Sequence, residues 1–261
     1  AVVAQGRRVV YEDGSAVMYG DTRRADFSHL EGWIDHAVDA LFFLDADKKM
    51  KAVVLAVPAT AQCEDGRQIA ADYWHWVREG VRHQHGQGVV VLGFIAPSGN
   101  QIPRAMLRRT AEDRMLKLKG VSRPQDLGGR IARAVDEVWR FATKDVRSDI
   151  AFLHRVESFD LPGRKVTENE YRAAKKRHDE LAAKKKLVGG DYWEKRRFAK
   201  TLARYEAQQR ADPVFTVEMH VIRLGDVVIA THPFELYPEY GARIQSRSIA
   251  GQTVLVSFSS P

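Results

Sequence analysis

Apolar positions fall into short continuous runs and longer helical stripes that alternate along the chain. Val227-Val228-Ile229-Ala230 is a β-branched run bounded by Leu224-Gly225-Asp226, the pattern of a fully buried strand. Ala52–Val57 and Val89–Ala96 have the same character, and Val38–Ala46 is expected to pair with the first of them across the Asp47-Lys48-Lys49 turn. Thr216–Ile222 alternates, as a half-exposed strand hairpinned to Val227–Ala230 does. Shorter strands are expected at Arg7–Tyr11 and Ala16–Tyr19 around Asp13-Gly14, and another at Ile150–Val156 before the Leu161-Pro162-Gly163 turn.

Helical spacing appears in Ile69, Tyr73, Trp76, Val77, Gly80 and Val81, predicting an amphipathic helix over Gln68–His83. Arg104–Lys119 is helical in pattern and highly charged. Leu127, Ile131, Ala134, Val135, Val138 and Phe141 share one face of a further helix. Thr167-Glu168-Asn169-Glu170 is a capping box, and it opens a helix carrying Tyr171, Ala174, His178 and Leu181 on one stripe. Gly189-Gly190 breaks that helix. A second, with Phe198, Leu202 and Tyr205, runs to Asp212-Pro213. The alternation specifies an α/β class: a mixed β-sheet core flanked by helices, in a single domain over residues 1–261, with a basic helical hairpin inserted at 167–211.

Charge changes this picture in one place. The chain carries +7 overall, and Thr167–Ala211 holds 13 lysines and arginines against 7 acids, a balance of +6. The basicity belongs to the hairpin, where it reads as a solvated face, and no motif for specific nucleic-acid recognition accompanies it. The longest uncharged run, Gly86–Pro103, has too few apolar positions to cross a bilayer, so no transmembrane segment is expected. The N-terminus lacks the pattern of a signal peptide. The single cysteine, Cys63, excludes an internal disulfide framework and a thiolate zinc cluster. His75, His83 and His85 do not share a face at metal-ligand spacing and are read as a solvated helix end.

Candidate chemistry gathers where buried strands run into polar, proline-bearing loops: Val57 into PATAQCED, Ala96 into PSGNQIPR, and Ala230 into THPFELYP. If those strands are parallel, the loops meet at one sheet edge, where open α/β folds bind ligands. Thr60, Gln62, Ser98, Asn100, His232 and Glu235 would then converge. Glu235 stands at a strand-to-helix junction, where it serves either a site or simply the helix dipole. PSGN lacks the frame of a nucleophile elbow and is too short for a phosphate loop.

Four stretches, RRVVYEDGSAVMYG, VDALFFLDADKKMKAVVLAVPATAQ followed by AADYW, GVVVLGFIAPSGNQIPR, and HVIRLGDVVIATHPFELYPEYGARIQSRS, resemble in content and order the N-terminal domain of neutral/alkaline non-lysosomal ceramidases, bacterial members most closely. The hairpin is the least similar part. The resemblance implies a zinc-dependent amidase fold acting on the N-acyl bond of a lipid amide, usually outside the cytoplasm or in the periplasm. Glu235 matches the family's zinc-binding carboxylate, and Asp72 an aspartate that follows a histidine loop. Pro58 stands where the family has a zinc-binding histidine, ahead of Thr60, and Ile102 where it has the nucleophilic serine, with Ser98 four residues earlier. The family's first histidine ligand and its tyrosine ligand fall outside residues 1–261. The resemblance therefore leaves three readings: a divergent metal-dependent amide hydrolase, a non-catalytic domain of the same fold that binds a ligand or partner, and a weak nucleic-acid binder. For the second, Thr60, Asp72, Ser98, Asn100 and His232 are the candidate ligand contacts.

Overall fold

Residues 2–63 and 69–259 are described by a computed structural model. Twelve strands and six helices occur among them: β1 (Gln5–Gly6), β2 (Arg8–Tyr11), β3 (Ala16–Met18), β4 (Phe27–Leu30), β5 (Asp39–Leu44), β6 (Met50–Val57), α1 (Tyr73–His85), β7 (Val90–Ile95), β8 (Gln101–Ile102), α2 (Arg109–Lys119), α3 (Arg123–Ala142), β9 (Phe152–Pro162), α4 (Glu168–Ala182), α5 (Asp191–Ala207), β10 (Val214–Leu224), β11 (Val227–Thr231), α6 (Pro238–Arg247) and β12 (Gln252–Val256). This is the expected α/β class. The chain divides into two compact units, Ala1–Val156 with Met219–Ser260, and Glu157–Glu218.

In the larger unit the longest apolar run makes the centre of a three-stranded sheet, ordered β5-β6-β7. β5 is antiparallel to β6, and β7 parallel to it with Val57 opposite Ile95, so β6 and β7 end at the same edge. Val53, Leu55 and Val57 are fully buried and meet Tyr73, Val77 and Val81 of α1 and Leu127, Ile131 and Val135 of α3. Burying each such side chain contributes roughly 1.5–3 kcal/mol. The two helices approach closely because glycine faces the partner: a Cβ on Gly80 would stand 2.6 Å from that of Ala132, and one on Gly128 2.8 Å from the Tyr73 carbonyl.

A second sheet is ordered β12-β11-β10-β9. β10 and β11 form the expected hairpin, Ile222 opposite Ile229, and β11 is parallel to β12. Val227 and Ile229 pack on Ala56, Ala96 and Val254. The Ser257 amide donates to the Ile95 carbonyl at 2.8 Å, tying the end of β12 to the end of β7. Smaller sheets, β3-β2-β4 and β1-β8, come from the opening segment.

Several expectations are corrected. Val227–Thr231 is only half-buried along its length, whereas Thr253–Val256, not anticipated as a strand, is buried. Val138 and Phe141 are exposed, because beyond Val135 it is Trp139 that faces the sheet, its ring 5.4 Å from that of Phe42. Helix α2 starts at Arg109 rather than Arg104, and α1 at Tyr73 with Asp72 as its cap, while the expected start at Gln68 lies outside the described residues. His85 is not solvated: its side chain lies edge-on against Trp139, with Nε2 3.6 Å from Asp136.

In the smaller unit, the Thr167 hydroxyl accepts from the Glu170 amide at 3.3 Å, and Glu170 Oε2 accepts from the Thr167 amide at 2.8 Å, completing the capping box. Arg164, hydrogen-bonded to Glu170, holds that carboxyl down at about 2. Ala174 and Leu181 are buried, and Tyr171 stacks on Tyr205 with centroids 4.3 Å apart.

Candidate functional site

The three loops do approach one another, and a residue from the opening segment holds them. Period-two alternation places Arg7 on the same side of the chain as Val9 and Tyr11, both buried, so its guanidinium enters the interior, where it is 5% exposed. There Nε and Nη2 donate to the Gly99 carbonyl at 3.2 and 2.7 Å, Nη2 also donates to Glu235 Oε1 at 2.7 Å, and Nη1 donates to the Tyr19 hydroxyl at 3.3 Å. Burial pulls the Arg7 pKa down, but the Tyr19 hydrogen bond and the Glu235 charge outweigh it and leave it raised. Tyr19 reaches Arg7 from a left-handed backbone, φ 57°, a conformation of the kind found at sites where neighbours fix the chain.

Gly99 is the contact point of two loops. Its amide donates to the Leu236 carbonyl at 2.7 Å, and a Cβ there would stand 2.4 Å from the Glu235 carbonyl oxygen and 2.5 Å from the Tyr237 ring. The third loop joins through Gln101, whose Nε2 donates to the Pro58 carbonyl at 2.6 Å and to that of Asp35 at 3.1 Å. Around Gly32, φ 80°, Asn100 Nδ2 donates to the Glu31 carbonyl and Glu239 Oε1 accepts from the Trp33 amide at 3.0 Å. A side chain at Gly32 would collide with both Asn100 and Glu239. Ser98 Oγ, Asn100 Oδ1 and Glu239 Oε2 are buried without a hydrogen-bond partner among the described residues.

The sequence-derived candidates do not form one constellation. Ser98, Asn100 and Glu235 lie on the two loops joined at Gly99. His232 is buried beside β12, with Nε2 3.5 Å from Ser257 Oγ, and burial pushes its pKa down. Thr60 bonds locally to Gln62 at 3.1 Å. Asp72 holds its own loop, accepting from the Tyr73 amide at 2.6 Å and the Cys63 amide at 2.9 Å. The Cys63 thiol is buried, and its pKa is pushed well up. Reading by residue type missed Arg7, Tyr19, Gln101 and Glu239. The signal for Arg7 was present, since a charge in register with Val9 and Tyr11 must be buried and paired. A cleft of about 340 Å³ is bordered by Gln5, Ala105, Arg108, Met115 and Arg130.

No family model matches the chain, and no curated protein matches it. Solved structures that share its fold include two ceramidases. "Crystal Structure Analysis of neutral ceramidase from Pseudomonas aeruginosa" superposes at a TM-score of 0.54 with 12% identity, over 98% of this chain and 44% of that one. "Ceramidase complexed with C2" gives 0.50 with 11% identity, over 85% and 40%. The chain thus has an α/β fold similar to that of these ceramidases and spans less than half the length of those proteins. At this identity the likeness shows the fold.

The zinc that the resemblance implies does not fit the described residues that stand at its ligand positions. Oε1 of the matched carboxylate, Glu235, is engaged by the Arg7 guanidinium at 2.7 Å, which sets a fixed positive charge beside it. Pro58 has no donor side chain, and Ile102 is fully buried in β8. Among the described residues no group of three or more His, Cys, Asp or Glu is arranged to hold a metal. A catalytic zinc takes about three protein ligands and an open position.

Proposed function

We propose that this chain is a non-hydrolytic ceramidase-like domain that binds an N-acyl lipid or a related amide at the loops around Gly99. The observation that carries this reading is the Arg7–Glu235 pair at 2.7 Å, which occupies the matched carboxylate with an internal cation. Beside it, Asn100 Oδ1 and Glu239 Oε2 are acceptors and the Ser98 hydroxyl both donates and accepts, and all are buried with their capacity unused. An amide presents one N–H and one carbonyl, and a sphingoid base adds hydroxyls, so the polar complement matches in kind.

The test combines metal analysis of the purified chain, binding of a fluorescent N-acyl sphingosine, and an amide-hydrolysis assay on the same lipid. Saturable binding weakened by Asn100→Ala, without stoichiometric zinc and without turnover, is the expected result. Stoichiometric zinc that disappears in Glu235→Gln, or zinc-dependent turnover, would overturn it. A metal-independent hydrolase is a second reading, favoured by the His232–Ser257 contact, which matches a loose base–nucleophile pair. At 3.5 Å the contact is at the outer limit of a hydrogen bond, which ranks this reading second. Turnover abolished by Ser257→Ala would promote it.

A further inference from the structure

The closed end of the helical hairpin has a surface that the proposed amide site does not use. Between the last turn of α4 and the first turns of α5, residues 184–197 read KKKLVGGDYWEKRR, with six cations against two acids. Both acids are engaged within the hairpin: Asp191 accepts from Lys184 at 2.9 Å, and Glu194 from Arg177 at 3.0 Å. Lys185, Lys186, Lys195 and Arg196 are left without an ion pair among the described residues. At the same end, Val188, Tyr192 and Trp193 are 62, 61 and 73% exposed. Large apolar groups on a solvated helix have no reason to cluster there for stability, since the seam of the hairpin is made elsewhere by Ala174, Leu181 and the Tyr171–Tyr205 stack.

Helical geometry puts the two chemistries in order. Arg196 follows Tyr192 by four residues and Trp193 by three, and Lys200 follows Arg196 by four, so aromatics and then cations succeed one another along one exposed face of α5. Lys184, Lys185 and Lys186 leave α4 beside the same turn. The end of the hairpin is therefore an apolar and aromatic cap with a basic collar behind it. Tyrosine and tryptophan favour the headgroup level of a bilayer, and lysine or arginine near the surface is drawn to anionic lipid.

We infer that the 184–197 end of this hairpin is a docking surface for an anionic lipid bilayer, with Tyr192, Trp193 and Val188 inserting at the headgroup level and the flanking lysines and arginines meeting phosphates. Nucleic acid would satisfy the cations but gives Val188 nothing to contact, whereas a lipid interface accommodates both halves. The inference stands on the hairpin alone and does not depend on the amide-binding reading.

The full chain is sedimented with extruded phosphatidylcholine vesicles, with and without phosphatidylserine, at about 0.15 M salt. Co-sedimentation with the anionic vesicles alone is expected, accompanied by a blue shift of tryptophan emission. The double substitutions Tyr192→Ser with Trp193→Ser, and Lys185→Glu with Lys186→Glu, lie on exposed positions, and circular dichroism checks that each keeps its helices. Each is expected to lower partitioning roughly tenfold or more, and the first to abolish the blue shift. Failure to bind anionic vesicles, equal binding to neutral ones, or variants that bind like the parent chain would overturn the inference. So would duplex RNA or DNA binding more tightly than the vesicles at the same salt.

Discussion

Replacing Arg7 with methionine tests the organisation of the loop cluster directly. Methionine keeps most of the apolar stem and removes the hydrogen bonds to Gly99, Glu235 and Tyr19. The two carboxylate-side and carbonyl-side contacts are not worth the same. The Glu235 side chain is 38% exposed, so water replaces Arg7 there, and that contact contributes at most about 1 kcal/mol. The Gly99 carbonyl belongs to a buried residue and is left without its side-chain donors, at a cost of about 1–3 kcal/mol. With the weaker Tyr19 contact, Arg7→Met is expected to destabilise the chain by about 2–4 kcal/mol. Glu235→Gln should cost about 1 kcal/mol or less, and the coupling in a double-mutant cycle should be of that smaller size. Urea unfolding followed by circular dichroism gives the three values, provided the transitions are two-state. If Arg7→Met costs no more than Glu235→Gln, or if the two are fully coupled, then the ion pair rather than the carbonyl carries Arg7, and the reasoning fails.

Two further outcomes follow from the same geometry. Gly99→Ala should destabilise by about 1–3 kcal/mol, because its Cβ meets the Glu235 carbonyl oxygen and the Tyr237 ring at 2.4 and 2.5 Å, and thermal unfolding measures it. His232 is buried and its folded pKa is depressed below 6.5, so the unfolded chain takes up a proton there that the folded chain does not. Its contribution to stability is present above about pH 6.5 and is lost as pH falls through the folded value, by up to about 1.4 kcal/mol per pH unit within that window. His232→Gln should flatten this part of the profile, and an unchanged slope in urea titrations across pH would count against it.

Much of the frame was legible because it rests on local signals. The runs Ala52–Val57 and Val89–Ala96 bury as strands whatever they pair with, and Thr167 with Glu170 form their cap within one turn. The convergence of the PATAQ, PSGN and THPFEL loops followed from parallel β6 and β7, although β11 lies in the other sheet and meets them through β12. What escaped depended on distant partners. Val138 and Phe141 continue the α3 stripe in sequence, and only the placement of Phe42 decides that Trp139 is covered instead. His85 was read as solvated because Trp139 and Asp136 lie 54 and 51 residues further on. The site itself was half legible: residue type singled out Ser98, Asn100 and Glu235, but not the arginine between Gly99 and Glu235. Its register with Val9 and Tyr11 marks its burial, but the two partners that join the loops are 92 and 228 residues away, beyond any local pattern.

That separation of 228 residues also sets an order of events during synthesis. A ribosome adding about 5–20 residues per second needs on the order of 10–50 s to pass from Arg7 to Glu235. The nascent chain gains Tyr19 and then Gly99 long before the acid, so the neutral partners come first and the cation can be seated on them. The acidic loop then arrives at a charge already in place. A stalled or shortened product ending before Glu235 would keep the anchor and lack its counter-charge, so a later segment neutralises an earlier one.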